Sequence, residues 1–244
     1  MTLTAAPHKD EALAERIRAL FLPNVSVAVT DPTADHAPCF AAEAQVVAGS
    51  RESRRKEFLA GRAAVHRAME KMGMPPAPVL QSENRAPVWP ANLTGSISHG
   101  GRICVAVVAP GNVVSGLGID VEEDTPLDED LVAGVCTLPE RAWLSTRPAH
   151  LRGRLAKLVF SAKECTYKCQ FAISRQLIDF TDVEITTDLE TGQFEATFVQ
   201  SVPGFDRGAR LFGRYVVEDG HIVTAIAEEY RLSAAPVERR LSLW

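Results

Sequence analysis

A helical pattern of apolar residues runs through Leu151-Arg-Gly-Arg-Leu-Ala-Lys-Leu-Val-Phe-Ser-Ala-Lys-Glu-Cys-Thr-Tyr-Lys-Cys-Gln-Phe171. One stripe of this helix follows the i, i+4, i+7 spacing and is predicted to face the core: Leu151, Leu155, Leu158, Ala162, Cys165 and Cys169. The other side carries three aromatic residues among charged ones: Phe160, Tyr167 and Phe171. Three aromatics are unusual on a face that meets only water, so we expect another part of the molecule or a ligand to cover it.

The neighbouring sequence predicts a second long helix and several hairpins. The helix covers Glu52–Met72 and ends at Gly73. Two strands rich in Val and Ile, Ile103–Val108 and Val113–Glu122, flank a Pro-Gly-Asn turn. Shorter patterns predict a helix near 11–20, a strand near 25–29, and turns at 190–192 and 218–220.

These elements predict the α+β class. They alternate too irregularly for a doubly wound parallel sheet, so small, mainly antiparallel sheets, each packed on a long helix, are favoured. The acidic segment Glu123–Asp130 is predicted to be a surface linker. The predicted division is therefore an N-terminal half, residues 1–123, and a C-terminal half, residues 124–244.

Composition limits the classes of function. The 244 residues are 46% hydrophobic and show neither a signal-peptide pattern nor a membrane-length apolar run, so a cytoplasmic protein without a membrane partner is expected. Five cysteines without a C-x-x-C pair predict reduced thiols and no zinc site. A net charge of −5 gives no support for nucleic-acid binding.

Three carboxylates are candidates for a metal site. Period-two alternation in Gly118-Ile-Asp-Val-Glu122 places Asp120 and Glu122 on one face of a strand. Two carboxylates so near to each other favour a cation such as Mg²⁺ between them, although a solvated acidic strand end explains the same pattern. Glu164 lies on the aromatic side of the helix, where an exposed ion pair with Lys168 is the alternative.

Basic residues and a glycine-rich segment suit an anion. Arg62 falls on the apolar stripe of the Glu52–Met72 helix, where it either pairs with a carboxylate or binds phosphate. Further basic residues crowd the start of that helix, among them Arg54 and Arg55. Gly95-Ser-Ile-Ser-His-Gly-Gly101 is predicted as a loop entering a strand, whose N–H groups and hydroxyls could approach an oxyanion.

Five motifs follow one another along the chain: Phe58-Leu-Ala-Gly-Arg62, Arg85-Ala-Pro-Val-Trp-Pro90, Gly95-Ser-Ile-Ser-His99, Gly118-Ile-Asp-Val-Glu122 and Phe160-Ser-Ala-Lys-Glu-Cys-Thr-Tyr-Lys168. In order and spacing, they resemble the Sfp-type phosphopantetheinyl transferases, most of all the branch of enterobactin-synthase-associated enzymes. The resemblance covers roughly residues 50 to 175. It implies a monomer of two pseudo-symmetric halves with coenzyme A in the cleft between them.

The resemblance also implies roles for individual residues. Mg²⁺, for which Mn²⁺ could substitute, would be bound by Asp120, Glu122 and Glu164 together with the pyrophosphate of coenzyme A. Phosphate oxygens would be held by Lys163 and Lys168, and the nucleotide's terminal phosphates by Arg54, Arg62, Ser98 and His99. Arg85 would lie near the adenine end. By spacing, Arg55 shares a helix face with Arg62, so Arg54 and Arg55 remain alternatives.

The implied reaction is attack of a carrier-protein serine on the β-phosphate of coenzyme A. It would transfer the 4′-phosphopantetheinyl group and release 3′,5′-ADP, with Glu164 and Lys168 as catalytic residues. The partners would be apo carrier proteins or domains of fatty-acid, polyketide or non-ribosomal peptide synthases, including those of siderophore or secondary metabolite pathways. Two alternatives remain: a Mg-dependent phosphotransferase or hydrolase acting on another nucleotide diphosphate, and a non-catalytic module that binds carrier proteins.

Overall fold

A computed structural model of the protein describes residues 7–230. Its helices are α1 (Pro7–Arg18), α2 (Ala41–Val46), α3 (Glu52–Lys71), α4 (Glu129–Val135), α5 (Leu138–Ser145) and α6 (Ala149–Ser174), with a 3₁₀ turn at Phe180–Asp182. Its strands are β1 (Ser26–Thr30), β2 (Leu80–Gln81), β3 (Pro87–Val88), β4 (Leu93–Gly100), β5 (Ile103–Pro110), β6 (Val114–Glu123), β7 (Val183–Asp188), β8 (Gln193–Phe198), β9 (Arg210–Glu218) and β10 (His221–Glu229). The predicted α+β class is confirmed.

The first sheet is antiparallel, has the order β1-β5-β4, and is buried on both faces. On one face, Ala106 and Val108 of β5 pack with Val65 and Met69 of α3. On the other face, the alternate residues of β5 pack with α1 and with strand β6. Burial on both sides explains why β5 is a continuous apolar run instead of an alternating one.

The second sheet is antiparallel in the order β6-β10-β9-β8-β7, and the long helix α6 packs on it. Ile119 and Val121 of β6 face the core shared with the first sheet. Asp120 and Glu122 face α6, as the alternation of the strand predicted. The predicted boundary at residue 123 separates two strands that pair, because β6 lies before it and β10 after it.

Segment 95–101 differs from its prediction as a loop, because nearly all of it belongs to β4 and pairs with β5. Small polar residues conceal the strand pattern. The hydroxyls of Ser96 and Ser98 accept hydrogen bonds from the backbone N–H groups of Ile119 and Val121 in β6. These side chains therefore join the two sheets where a purely apolar strand could not.

Two glycines let the backbone of α6 approach β6. A Cβ at Gly116 would lie 2.7 Å from the carbonyl oxygen of Cys169, and a Cβ at Gly118 would overlap the carbonyl oxygen of Cys165. A glycine inside a strand often marks such a close backbone contact. The contact brings the Ser161 and Lys168 side chains of α6 to Asp120.

Gly118→Ala is therefore expected to lower the free energy of unfolding by about 3 kcal/mol, the upper end of ordinary overpacking costs. Denaturant unfolding, followed by circular dichroism, measures this change in the free energy of unfolding. Gly134→Ala is the control, because a Cβ there meets nothing within 4 Å and Gly134 lies in helix α4. Equal stability of the two variants would contradict the close contact between helix and strand.

None of the helices in the range 7–230 is both long and apolar enough to cross a lipid bilayer.

Candidate functional site

Asp120 is the centre of a buried polar cluster between β4, β6 and α6. Its side chain is 4% exposed, and Lys168 Nζ lies 2.6 Å from its Oδ1. The Ser98 hydroxyl donates to the same oxygen at 2.9 Å and accepts from Lys168 at 3.1 Å. Burial opposes the charge on Lys168, but attraction and hydrogen bonding to Asp120 raise the pKa of this ammonium above its ordinary value. Three of the predicted site residues thus come together here.

Ser161 holds the second oxygen of Asp120, and Thr224 in turn contacts Ser161; the sequence patterns singled out neither residue. The Ser161 hydroxyl lies 2.8 Å from Oδ2, and Thr224 of β10 lies 3.0 Å from that hydroxyl. Both side chains are fully buried. Ser161 stands three residues before Glu164 on the helix, which is a detectable signal. Thr224 has none, because only the pairing of β10 with β6 places it opposite Asp120.

Glu122 and Glu164 lie close enough to Asp120 to share its electrostatic environment. Burial and then the charge of Asp120 raise the pKa of Glu122. Lys157 opposes this shift, because its Nζ lies 3.1 Å from Oε2 of Glu122. Burial also raises the pKa of Glu164; Lys168 opposes this shift, while Asp120 and Glu122 add to it. The raised pKa values of Glu122 and Glu164 beside the charge of Asp120 are the expected behaviour of like charges around one point.

The donor set suits a hard divalent cation, which prefers carboxylate oxygens. Among residues 7–230, however, no three acidic, histidine or cysteine side chains already form a metal-binding group. The ammonium of Lys168 lies on Asp120, and that of Lys157 lies on Glu122. In the present arrangement, these ammonium groups provide the positive charge that both carboxylates need. The carboxylate oxygens are themselves the kind of ligand that Mg²⁺ prefers, so these residues fit the metal.

The structure contradicts the prediction that Lys163 contacts a phosphate. Its ammonium forms an ion pair of 2.8 Å with Glu140, in which each side chain is 1% exposed. It also donates to the carbonyl oxygens of Val135 and Phe180 at 2.9 and 2.8 Å. One residue along a helix turns a side chain by about 100°, so Lys163 points into the C-terminal core while Glu164 faces the carboxylate cluster.

A cleft of about 710 Å³ lies beside the carboxylate cluster. Its walls come from α3, the β2–β3 hairpin, β4 and the last turns of α6. Five cationic side chains line it, against one carboxylate, Glu57: Arg54, Arg62, Arg85, Lys168 and Arg175. This excess of positive charge suits a ligand with several phosphates.

Four of the predicted nucleotide contacts, Arg54, Arg62, Arg85 and His99, line this cleft, whereas Ser98 does not and instead bonds to Asp120. Arg54 lines it, whereas Arg55 is exposed and does not, so the cleft favours Arg54. His99 lines it as well, with Nε2 3.7 Å from Glu57, and partial burial lowers the pKa of its ring. Arg85 occupies the turn of the β2–β3 hairpin with a left-handed φ of 69°. That backbone is held by its N–H bond to the Ser82 carbonyl.

Arg62 is 5% exposed, as its position on the apolar stripe predicted. Its Nε donates to the carbonyl oxygen of Val79, its Nη2 donates to that of Leu80, and the guanidinium lies 4.1 Å from the Phe58 ring centroid. Burial lowers the pKa of Arg62 to about 10, and the charge of Glu43 opposes this shift.

Two of the three aromatic residues on the second side of α6 line the cleft. Tyr167 and Phe171 stack with ring centroids 5.9 Å apart. Phe160 instead packs against Phe180 in the C-terminal core, so another part of the molecule covers this aromatic residue. Arg175, which no sequence pattern singled out, ends α6 in a left-handed conformation and lines the cleft.

Two family models match the chain. The 4′-phosphopantetheinyl transferase N-terminal domain matches residues 42–109, and the 4′-phosphopantetheinyl transferase superfamily matches residues 116–226. The 4′-phosphopantetheinyl transferase Npt of Nocardia iowensis is 35% identical over 76% of this chain and 87% of that protein. PptT of Mycobacterium tuberculosis is 32% identical over 75% and 83% of the two chains.

Two further comparisons cover less of the chain. Enterobactin synthase component D of Escherichia coli is 38% identical over 47% of this chain and 54% of that protein. The crystal structure of Thermotoga maritima holo-[acyl-carrier-protein] synthase superposes with a TM-score of 0.38 at 23% identity, over 48% of this chain and 66% of that one.

Proposed function

The chain belongs to the 4′-phosphopantetheinyl transferase superfamily, and we propose how its cleft and carboxylate cluster carry out the transfer. The enzyme transfers the 4′-phosphopantetheinyl group of coenzyme A to a serine of an apo carrier protein. The observation that carries the proposal is the cationic cleft that ends at Lys168, which forms an ion pair with the buried Asp120. Such a site accepts a polyanion and places its charge next to the carboxylate cluster.

In the proposed complex, coenzyme A lies along the cleft with its nucleotide toward α3 and the β2–β3 hairpin. Arg54, Arg62 and His99 contact its terminal phosphates, and Arg85 lies near the adenine. Lys168, already beside Ser98 and Asp120, takes the pyrophosphate oxygens. Tyr167 and Phe171 form the apolar wall of the cleft.

The proposed reaction is substitution at the β-phosphorus of coenzyme A. The serine oxygen forms a bond to phosphorus, the bond from phosphorus to the 3′,5′-ADP oxygen breaks, and the serine proton goes to Glu164. Burial among carboxylates raises the pKa of Glu164, which makes it a stronger base than an exposed glutamate. Lys168 neutralises charge on the transferring group.

Mg²⁺ is proposed as the metal, held by Asp120, Glu122 and Glu164, with Mn²⁺ as an acceptable substitute. When bound, it would supply Lewis-acid neutralisation of the pyrophosphate. Ser98 and Ser161 support this arrangement, because their hydrogen bonds fix Asp120 in one orientation, and Thr224 supports Ser161.

We also propose that the protein is a cytoplasmic monomer. It would have two pseudo-symmetric halves, divided near residue 123, with the ligand cleft between them. A carrier from fatty-acid, polyketide or peptide synthesis is compatible with the site. A siderophore or secondary-metabolite pathway is proposed because one relative is a component of enterobactin synthase.

Intact mass spectrometry of an apo carrier protein tests the function. The enzyme is incubated with coenzyme A, Mg²⁺ and each of several apo carriers, and one phosphopantetheine should be added per carrier. Release of phosphate or nucleotide without carrier modification would support a hydrolase or other phosphotransferase instead. Carrier binding without any mass change would support the non-catalytic module.

Single substitutions distinguish the two arginines at the start of α3. Arg54→Ala is expected to weaken coenzyme A binding about tenfold, because Arg54 lines the cleft and lost charge-assisted hydrogen bonds cost about 1.5–3 kcal/mol. Arg55→Ala is the matched control and should change the affinity less than about twofold, since Arg55 is exposed outside the lining. Calorimetric titration with coenzyme A measures both; the reverse order would assign the contact to Arg55.

A further inference from the structure

A second buried polar group, away from the carboxylate cluster, lies behind Arg62. Glu43 on the short helix α2 is 0% exposed, and His66 on α3 is 4% exposed. Glu43 Oε1 accepts a hydrogen bond from the Val79 N–H at 2.9 Å and lies 3.1 Å from His66 Nε2. The proposed reaction uses neither residue, and a glutamate is seldom fully buried unless it is paired.

The geometry of Val79 links Glu43 to Arg62. The N–H of Val79 donates to Glu43, while its carbonyl oxygen accepts from Arg62 Nε at 2.5 Å. The next carbonyl, that of Leu80, accepts from Arg62 Nη2 at 3.2 Å. Glu43 thus fixes one side of the backbone segment that holds two of the three guanidinium nitrogens. Among residues 7–230, Nη1 donates to no protein acceptor, and Arg62 lines the cleft.

Charge also connects the two residues. A buried guanidinium needs a compensating anion, because removing an ion from water is costly. Glu43 is the carboxylate that stabilises the charged form of Arg62, whereas nearby Arg54 destabilises it. Arg62 has no direct ion pair with a carboxylate among the described residues, so its guanidinium can still interact with an anion from the cleft.

His66 orients Glu43. A carboxylate oxygen accepts hydrogen bonds, so Nε2 of His66 is the donor in this contact, and Nδ1 is buried without a partner among the residues described. The Phe40 ring lies edge-on to the imidazole, with centroids 5.2 Å apart. Glu43 Oε2 is likewise buried without a partner among residues 7–230. Oε1 of Glu43 therefore makes both contacts, with His66 and with the Val79 N–H, and these contacts set the orientation of the carboxylate.

We propose that Glu43, oriented by His66, is a positioning residue that holds Arg62 through the Val79–Leu80 backbone so that its free nitrogen meets the terminal phosphates of coenzyme A. The inference rests on the proposed function, because it assigns Arg62 to the nucleotide end of that substrate. It adds a residue that touches no substrate but determines affinity for the nucleotide.

Glu43→Gln is the informative variant, because its amide oxygen can keep the Val79 contact while the charge is lost. Binding of 3′,5′-ADP, measured by calorimetry, is expected to weaken about fivefold in Glu43→Gln and about tenfold or more in Glu43→Ala. Gln45→Ala, an exposed change on the same helix, is the control and should bind as wild type does. Thermal unfolding of each variant identifies losses that arise from misfolding.

A double-mutant cycle separates positioning from general stability. In an Arg62→Met background, Glu43→Gln should change 3′,5′-ADP affinity less than about twofold, because the residue through which it acts is gone. Arg62→Gln, which also removes the positive charge, replaces Arg62→Met in the cycle if the latter does not fold. Equal losses in both backgrounds, or no loss in wild type, would overturn the positioning role. If wild type itself does not bind 3′,5′-ADP or coenzyme A, the proposed function fails instead.

Discussion

Glu164→Gln is expected to lower the rate of phosphopantetheine transfer by about two to four orders of magnitude, the usual contribution of a general base. The amide cannot accept the serine proton, and the substitution removes one of the three carboxylates of the cluster formed by Asp120, Glu122 and Glu164. Coenzyme A should still bind, because the cationic lining of the cleft is unchanged. Single-turnover mass spectrometry of the carrier and calorimetric titration with coenzyme A measure the two quantities separately.

Glu190→Gln is the control for this change, since Glu190 is exposed in the β7–β8 turn. It should transfer at the wild-type rate. Near-normal turnover of Glu164→Gln would exclude Glu164 as the base. A parallel collapse of coenzyme A affinity would instead show that Glu164 acts mainly in binding.

Lys163→Met is expected to destabilise the protein by about 3–5 kcal/mol, the range for breaking a buried ion pair. The substitution leaves Glu140 charged and buried, and it removes the donor for the carbonyl oxygens of Val135 and Phe180. Glu140 itself also accepts from the backbone N–H groups of Thr137 and Ile185. Guanidinium unfolding should show a lower midpoint with little change in slope.

Lys168→Met provides the contrast on the same helix. Lys168 is 24% exposed at the cleft, and the hydroxyls of Ser98 and Ser161 still donate to Asp120 in its absence, so this variant should lose coenzyme A affinity and transfer rate with a smaller loss of stability. The two lysines thus have opposite expected signatures. A Lys163→Met protein that is stable but binds coenzyme A poorly would restore the phosphate contact that the sequence motif implied.

Helical and strand periods in the sequence identified much of the fold. Predicted helix Glu52–Met72 and observed α3 differ by one residue at the end, and α6 extends the predicted 151–171 by a few residues at each end. Regular apolar spacing is a local property of the sequence, and it predicts the helix correctly because the apolar face that it defines is the face buried in the core. Strand β4 was missed for the converse reason: its serines and glycines carry no apolar alternation.

The candidate site divides in a similar way. Alternation along β6 was sufficient to place Asp120 and Glu122 on one face, and the apolar stripe of α3 was sufficient to bury Arg62. The motif did not reveal that neighbouring residues Lys163 and Glu164 point to different environments. The direction of each side chain depends on how α6 is rotated against its sheet.

Sequence patterns were enough to propose which residues carry the chemistry: three carboxylates, a set of cations and the helix and strand on which they lie. Which of them meet depends on tertiary packing, since contacts such as Ser161 with Thr224 and Val79 with Glu43 join residues far apart in the chain. Packing also favours Arg54 over Arg55 at the cleft and adds Arg175 to it. Periodicity specifies a face within one element, whereas a site forms only where faces of several elements pack together.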